Sequence, residues 1–250
     1  MKALLKIFTI LFAGCFGLGL IVSWIEKLKG KVGWVEGHKP YGIYEKHIKR
    51  PLDFALALFA LILFWPILLI IAIAVKINMG SPVIFEQDRP GLGGKIFKIK
   101  KFRTMVDAVD ADGKPLPDDQ RLTKFGTWLR ASSGDEALEL FSIAKGDLSF
   151  IGPRPLLVEY LPYYTKEEMH RHDVRPGLTG LSQTSGRNCL AWNERFKLDV
   201  QYVNKITFVG DARIFLNTIR KVVDRDGILT DTSKGEPNFA RERKEQQGNG

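Results

Sequence analysis

The sequence predicts an α+β fold tied to a membrane, and three observations carry that prediction. Two uncharged apolar runs, residues 7–25 and 54–75, are each long enough to cross or enter a bilayer core of about 30 Å. Two short apolar segments, 82–85 and 95–99, flank a Gly-rich stretch at 89–94 and read as a β-hairpin. Beyond residue 120 the apolar residues recur mostly at helical spacing, as in Leu122, Phe125 and Leu129.

The two long runs differ in their surroundings. The first is read as a transmembrane helix. A cleaved signal peptide needs a small-residue site that is missing before Trp24, and a lipoprotein signal ending at Cys15 has the unsuitable Phe12. The second run carries Pro66 near its middle, where a proline removes a helix hydrogen bond. Basic residues flank it on both sides, from Lys27 to Arg50 before and from Lys76 to Arg103 after. A crossing helix is basic mainly on one side. The symmetry favours a re-entrant helix that kinks at Pro66 and returns to the face it entered; a Pro-containing span is the alternative. Re-entry would leave 7–25 as the single span, with Met1 outside and everything after Glu26 in the cytoplasm.

Composition narrows the partners. The 250 residues carry a formal charge of +9, which suits nucleic acid, anionic lipid or a phosphorylated substrate. Two cysteines, Cys15 and Cys189, cannot build a disulfide framework or a thiolate zinc site.

Several stretches could carry chemistry. Ser133-Gly-Asp-Glu136 fits a capping box, placing Asp135 and Glu136 in the first turn of a helix, where the helix dipole favours ionised carboxylates. Capping alone would explain both acids; an ionised Asp can also be a nucleophile, and a neighbouring Glu can hold a divalent cation. Lys101 and Arg103 fall on one side of an extended segment. Pro153 and Pro155 restrict how Arg154 points, which suits a phosphate grip as well as a surface turn. Gly-rich loops at 175–180 and 184–188 each carry an arginine. The glycines at 91–94 do not match a phosphate loop, residues 110–119 do not complete a calcium loop, and His170 and His172 are badly spaced for a metal. The apolar residues of 192–228 suit either interfacial helices or helices packed on the core, and the polar 229–250 reads as a disordered tail.

In order along residues 48–228, these pieces resemble the bacterial sugar transferase family, the small monotopic phosphoglycosyl transferases. The resemblance rests on Lys49-Arg-Pro-Leu-Asp-Phe, Gln87-Asp-Arg-Pro-Gly, Phe97-Lys-Ile-Lys-Lys-Phe-Arg-Thr-Met, Ser133-Gly-Asp-Glu, Lys145-Gly-Asp-Leu-Ser-Phe-Ile-Gly-Pro-Arg-Pro, Val174-Arg-Pro-Gly-Leu-Thr-Gly and Ser185-Gly-Arg-Asn. It implies transfer of a phosphosugar, an N-acetylated amino sugar among the nearest relatives, from a UDP-sugar to undecaprenyl phosphate with release of UMP. It assigns the nucleophile of a covalent intermediate to Asp135 and Mg²⁺ to Glu136. Lys101, Arg103, Arg130, Arg154, Arg175 and Arg187 become candidates to bind phosphates. It further implies a membrane-embedded monotopic fold, a helix broken at Pro66, and a mainly helical catalytic domain on the cytoplasmic face of the inner membrane. Membrane lipids are expected partners, downstream glycosyltransferases are candidate ones, and nucleic acid is not. Trp65 stands where a serine is frequent before the proline, and Ala137 where a larger apolar residue is common. Residues 1–47 lie outside the pattern as an N-terminal extension. The pathway, whether lipopolysaccharide, capsule or protein glycosylation, is left open.

Overall fold

The computed structural model describes residues 2–31, 33–114, 116–186, 190–223 and 239–248. It opens with two long helices, α1 (Lys2–Leu28) and α2 (Lys49–Met79), each with a stretch apolar enough to cross a membrane. They pack against each other. Phe8 and Phe12 meet Phe59 edge-on, with centroids 5.9 and 5.8 Å away. Gly19 lies so close to α2 that a Cβ there would stand 2.5 Å from the Pro51 carbonyl oxygen, so only glycine permits this approach.

α2 is helical on both sides of Pro66, with no non-helical residue between its ends, so the expected break is not an interruption of the helix. A proline removes one backbone hydrogen bond, and a helix this long retains the rest. Burial varies along it. Arg50, Asp53, Ala55 and Ala57 are buried near one end, Val75 and Met79 at the other, while residues 62–67 are all exposed.

The hairpin pairs β1 (Ile84–Pro90) with β2 (Ile96–Phe102) in antiparallel register from Ile84↔Phe102 to Pro90↔Ile96. Gly93 and Gly94 turn it with φ of 61° and 73°. Short helices α3 (Asp118–Arg121) and α4 (Lys124–Ala131) follow, then a 3-10 turn over Gly134–Leu138 that runs into α5 (Glu139–Lys145). A small parallel pair joins β3 (Ser149–Ile151) to β4 (Gly177–Thr179), with α6 (Lys166–Met169) between them. The chain continues through α7 (Leu181–Ser185), α8 (Trp192–Asn204), α9 (Phe208–Val223) and α10 (Phe239–Gly248).

Both ends of α2 are built into this unit. Val75 and Met79 join Phe102, Leu129 and Leu138 in one apolar cluster, and Ala57 joins Ile143 and Leu148 in another. The helices of 192–228 divide between the two expectations. α8 turns Trp192, Phe196 and Val203 into the core; α9 buries Ile214 and leaves Phe208, Val209, Phe215, Leu216, Ile219 and Val222 exposed.

The polar tail departs from its expected disorder. α10 buries Phe239 completely, with ring centroids 5.0 Å from Phe196, 5.3 Å from Tyr160 and 5.4 Å from Trp192. One aromatic side chain offers enough apolar area to hold a short polar helix against a ready aromatic cleft. The rest of the tail, 229–238 and 249–250, lies outside the described residues.

Candidate active site

The site is built around a reversal of the chain. Thr123 caps α4, its hydroxyl accepting from Gly126 N–H at 2.9 Å. α4 ends at Ser132 and Ser133, whose N–H groups donate to the Trp128 and Arg130 carbonyls. Ser133 takes φ 55°, the one non-glycine residue among those described with positive φ. It makes no side-chain cap, so the expected capping box does not form. The same serine instead terminates the preceding helix in a left-handed conformation, a strained state that costs on the order of 1 kcal/mol and is worth notice beside a site. The turn that follows carries Asp135 and Glu136.

Two cations from distant elements meet Glu136. Lys101, at the end of β2, donates from Nζ to Glu136 Oε1 at 2.6 Å, and Arg154 donates to the same oxygen at 3.1 Å. Lys101 Nζ also stands 3.4 Å from Glu139 Oε1. Burial opposes the charge on Glu136, but Arg154 and Lys101 outweigh it and hold the carboxyl well below its usual range. Glu139 moves the other way, raised by burial and by Glu136. Burial and the neighbouring Glu136 also raise Asp135, while Lys101 and Arg130 pull it down. The ease of ionisation expected from a helix dipole is therefore not what this turn supplies. A 3-10 turn of five residues offers little dipole, and the nearby cations ease ionisation for Glu136 but do not overcome burial at Asp135.

Asp135 and Glu136 line a cavity of about 740 Å³. Arg130, Arg154, Arg195 and Lys221 line it too, with Phe150 and Leu178 among its apolar walls. Beneath Arg154 lies a fully buried pair. Arg171 donates to Asp199 Oδ2 from Nε (3.1 Å) and from a terminal nitrogen (2.8 Å), and that same nitrogen holds the Arg154 carbonyl at 2.8 Å. Ser182 donates to the other Asp199 oxygen at 2.7 Å.

Of the residues expected from sequence, Asp135, Glu136, Lys101, Arg130 and Arg154 come together. Two arginines stand elsewhere. Arg103 is spent on the Met105 and Ser81 carbonyls and on Asp107, where it joins the end of β2 to the link after α2. Arg175 donates to the Gly146 carbonyl at 2.7 Å and lies 3.4 Å from Glu26, beside α1 and away from the cavity. Arg187 lies outside the described residues. Sequence reasoning missed Glu139, Arg171, Asp199, Arg195 and Lys221. Glu139 carried one readable signal, as an acid one helical turn from Glu136.

Residues 44–225 match the family model described as bacterial sugar transferase. The chain belongs to that family. Among its relatives is an uncharacterized sugar transferase, EpsL of Bacillus subtilis, 48% identical over 181 residues that make up 72% of this chain and 90% of the relative. The UDP-glucose:undecaprenyl-phosphate glucose-1-phosphate transferase of Caulobacter vibrioides is 36% identical, covering 71% of this chain and 70% of the relative. The undecaprenyl-phosphate galactose phosphotransferase of Salmonella typhimurium is 33% identical over 73% of this chain but only 42% of its own length. The bacterial sugar transferase described here is thus an enzyme of the transferase class. Its two stretches long and apolar enough to cross a membrane, Lys6–Leu28 and Tyr44–Met79, suit a membrane protein.

Proposed function

We propose that this sugar transferase moves a phosphosugar from a UDP-sugar to undecaprenyl phosphate and releases UMP. The observation that carries the proposal is the pairing of Asp135 with Glu136 on a strained turn in the wall of a cavity lined by Arg130, Arg154, Arg195 and Lys221. Both substrates are anionic, and neither can approach a carboxylate nucleophile without neutralisation. In this reading an Asp135 oxygen bonds to the phosphorus next to the sugar as the bond from that phosphorus to UMP breaks. A phosphate oxygen of the lipid then bonds to the same phosphorus and frees Asp135. No general base is required, because the nucleophile of each step is an anion.

Mg²⁺ is the metal that family resemblance implies. Among the described residues no three His, Cys, Asp or Glu side chains converge as a cage. Mg²⁺ is ordinarily held by one or two carboxylates together with substrate phosphates and water, and Glu136 fits that donor set. When bound it would neutralise charge on the donor phosphates. Lys101 and Arg154 fix the Glu136 carboxylate, and Arg130 stands near Asp135 to favour its ionised form.

The same reading sets the enzyme on the cytoplasmic face of the inner membrane, with α2 entering the bilayer and returning. Two features support it: both ends of α2 pack on one domain while residues 62–67 stand clear, and the exposed apolar face of α9 suits headgroup level. Glucose and galactose are the sugars in the relatives' names, and an N-acetylated amino sugar is the one the resemblance implies. The test is nucleotide release in nanodiscs with Mg²⁺, undecaprenyl phosphate and a panel of UDP-sugars. UMP supports phosphosugar transfer and identifies the donor; UDP would mean that the sugar alone moves.

A further inference from the structure

We propose that Glu26 is a positioning residue of the active site, a carboxylate on α1 that fixes the seat of the helix bearing Asp135 and Glu136. The inference rests on the reaction proposed above. It concerns a helix outside the span matched by the family model, which begins at residue 44.

The argument starts at the far end of α5. That helix and its leading 3-10 turn form one short run over 134–145, with the acidic pair at its start. At its other end, Arg50 donates to the Ile143 carbonyl at 2.9 Å and to the Ala144 carbonyl at 3.0 Å, and Arg175 donates to the Gly146 carbonyl at 2.7 Å. Two guanidiniums thus cap carbonyls at the helix C-terminus, where backbone partners run short; the Ile143 carbonyl also accepts from Gly146 N–H at 3.1 Å. Both side chains are nearly buried, 9% and 11% exposed, so their charges need a counterion.

Glu26 is that counterion. Its two oxygens accept from Arg50 Nε at 3.0 Å and from an Arg50 terminal nitrogen at 2.7 Å, a fork-to-fork pair. Arg175 lies 3.4 Å from the same carboxylate. Gly146 shows how closely the cluster is fitted. Its φ is 93°, and a Cβ there would stand 2.9 Å from Arg50 and 3.2 Å from Glu26 Oε1.

Removing the carboxylate takes away the one group that pairs with both guanidiniums and leaves Asp53 and Asp147 as the other acids acting on Arg175. The two cations then repel each other with less compensation, and α5 loses part of its anchorage. The displacement is delivered to Asp135 and Glu136 at the other end of the run. The cations that line the cavity are carried by other elements, Arg130 by α4 and Lys221 by α9, so their anchorage does not depend on Glu26. The loss therefore falls on turnover rather than on donor binding.

The experiment compares wild type, Glu26→Gln, Glu26→Asp, Arg175→Gln and the Glu26→Gln/Arg175→Gln pair in nanodiscs. It reads kcat and KM for the donor, and amide hydrogen exchange across 139–146. Glu26→Gln should lower kcat about ten- to a hundredfold, the scale of a misplaced reacting group, with KM within about twofold. Exchange across 139–146 should quicken. Glu26→Asp, which keeps the charge, should recover part of kcat, and the pair should be no worse than Glu26→Gln alone. Unchanged kcat and exchange in Glu26→Gln, or losses that add in the pair, would overturn the proposal. If Glu26→Gln does not fold, Arg175→Gln carries the test. A kcat loss at constant KM supports the clamp, and a KM rise alone would return Arg175 to phosphate binding and refute it. Wild type releasing UDP would defeat the proposed reaction, while the exchange measurement would still decide the clamp.

Discussion

Lys101 Nζ and Glu136 Oε1 stand 2.6 Å apart, joining the end of the hairpin to the acidic turn across 35 residues of chain. Because the same ammonium also faces the buried Glu139, one cation serves two carboxyls, and they respond unequally. Glu136, with Arg154 as a second hydrogen-bonding cation, is held low; Glu139, where burial and the neighbouring Glu136 outweigh both cations, is pushed up.

That inequality has a pH signature. Burial, then Glu136, raises Glu139 from an ordinary value of 4.5 to about 7. The folded state therefore takes up a proton that the unfolded state has released, and stability present below pH 4.5 is lost as pH rises through about 7. Glu139→Gln should flatten the melting temperature between pH 5 and pH 8, with a gain on the order of 1–3 kcal/mol at the upper end. Parallel wild-type and variant curves over that range would show that Glu139 does not titrate there.

Asp135→Asn should reduce UMP release by on the order of 10³-fold or more, as for loss of a nucleophile, while flotation with lipid vesicles stays normal. The amide keeps the size of the side chain and removes its charge. Activity within about tenfold of wild type would remove Asp135 from the nucleophile's role.

Chelation by EDTA should stop turnover, and Mg²⁺ should restore it. Glu136→Ala should raise the Mg²⁺ needed for half-maximal activity by at least about tenfold, since even outer-shell partners of a metal site cost that much. An unaltered Mg²⁺ titration would contradict the ligand role.

Cysteines placed one at a time at exposed Lys46 and Lys95, with Cys15 and Cys189 replaced by serine, should react with an impermeant maleimide from the same side of the membrane. Labelling from opposite sides would mean that α2 spans, and the orientation of α1 would have to be assigned anew.

Phe239→Ala should destabilise the protein by about 3–5 kcal/mol, the usual cost of removing a buried aromatic ring. Thermal unfolding in detergent would measure it. An unchanged melting curve would place the tail back in solvent.

Much of the frame was legible in the sequence because its signals are local. Two apolar runs, a hairpin around glycines and an acidic pair before an apolar helix all lie within a few residues of themselves. What escaped depends on distant partners. A Ser-x-x-Glu pattern reads the same whether the serine opens one helix or closes another, and the end of α4 decided it at Ser133. An arginine between a turn and a proline suits a phosphate, a carboxylate or a row of carbonyls equally. Arg154 reaches Glu136, whereas Arg175 meets Glu26, a residue 149 positions away. Phe239 gave no periodic signal, since one aromatic ring in a polar stretch has no pattern to repeat.

The partners of α2 also bear on how the chain is made. Asp53, buried near its start, accepts from the Ser149 hydroxyl at 2.7 Å, 96 residues later. At about 5–20 residues per second, ribosomes need on the order of 5–20 s to supply that hydroxyl. Until then Asp53 has no Ser149 to receive it, and a buried polar group without its partner is costly. The start of α2 must therefore wait near water while its apolar middle is already available to the lipid. Under the proposed membrane placement, the start of α2 is seated only after the domain that follows has been translated, which couples the seating of this helix to the folding of that domain.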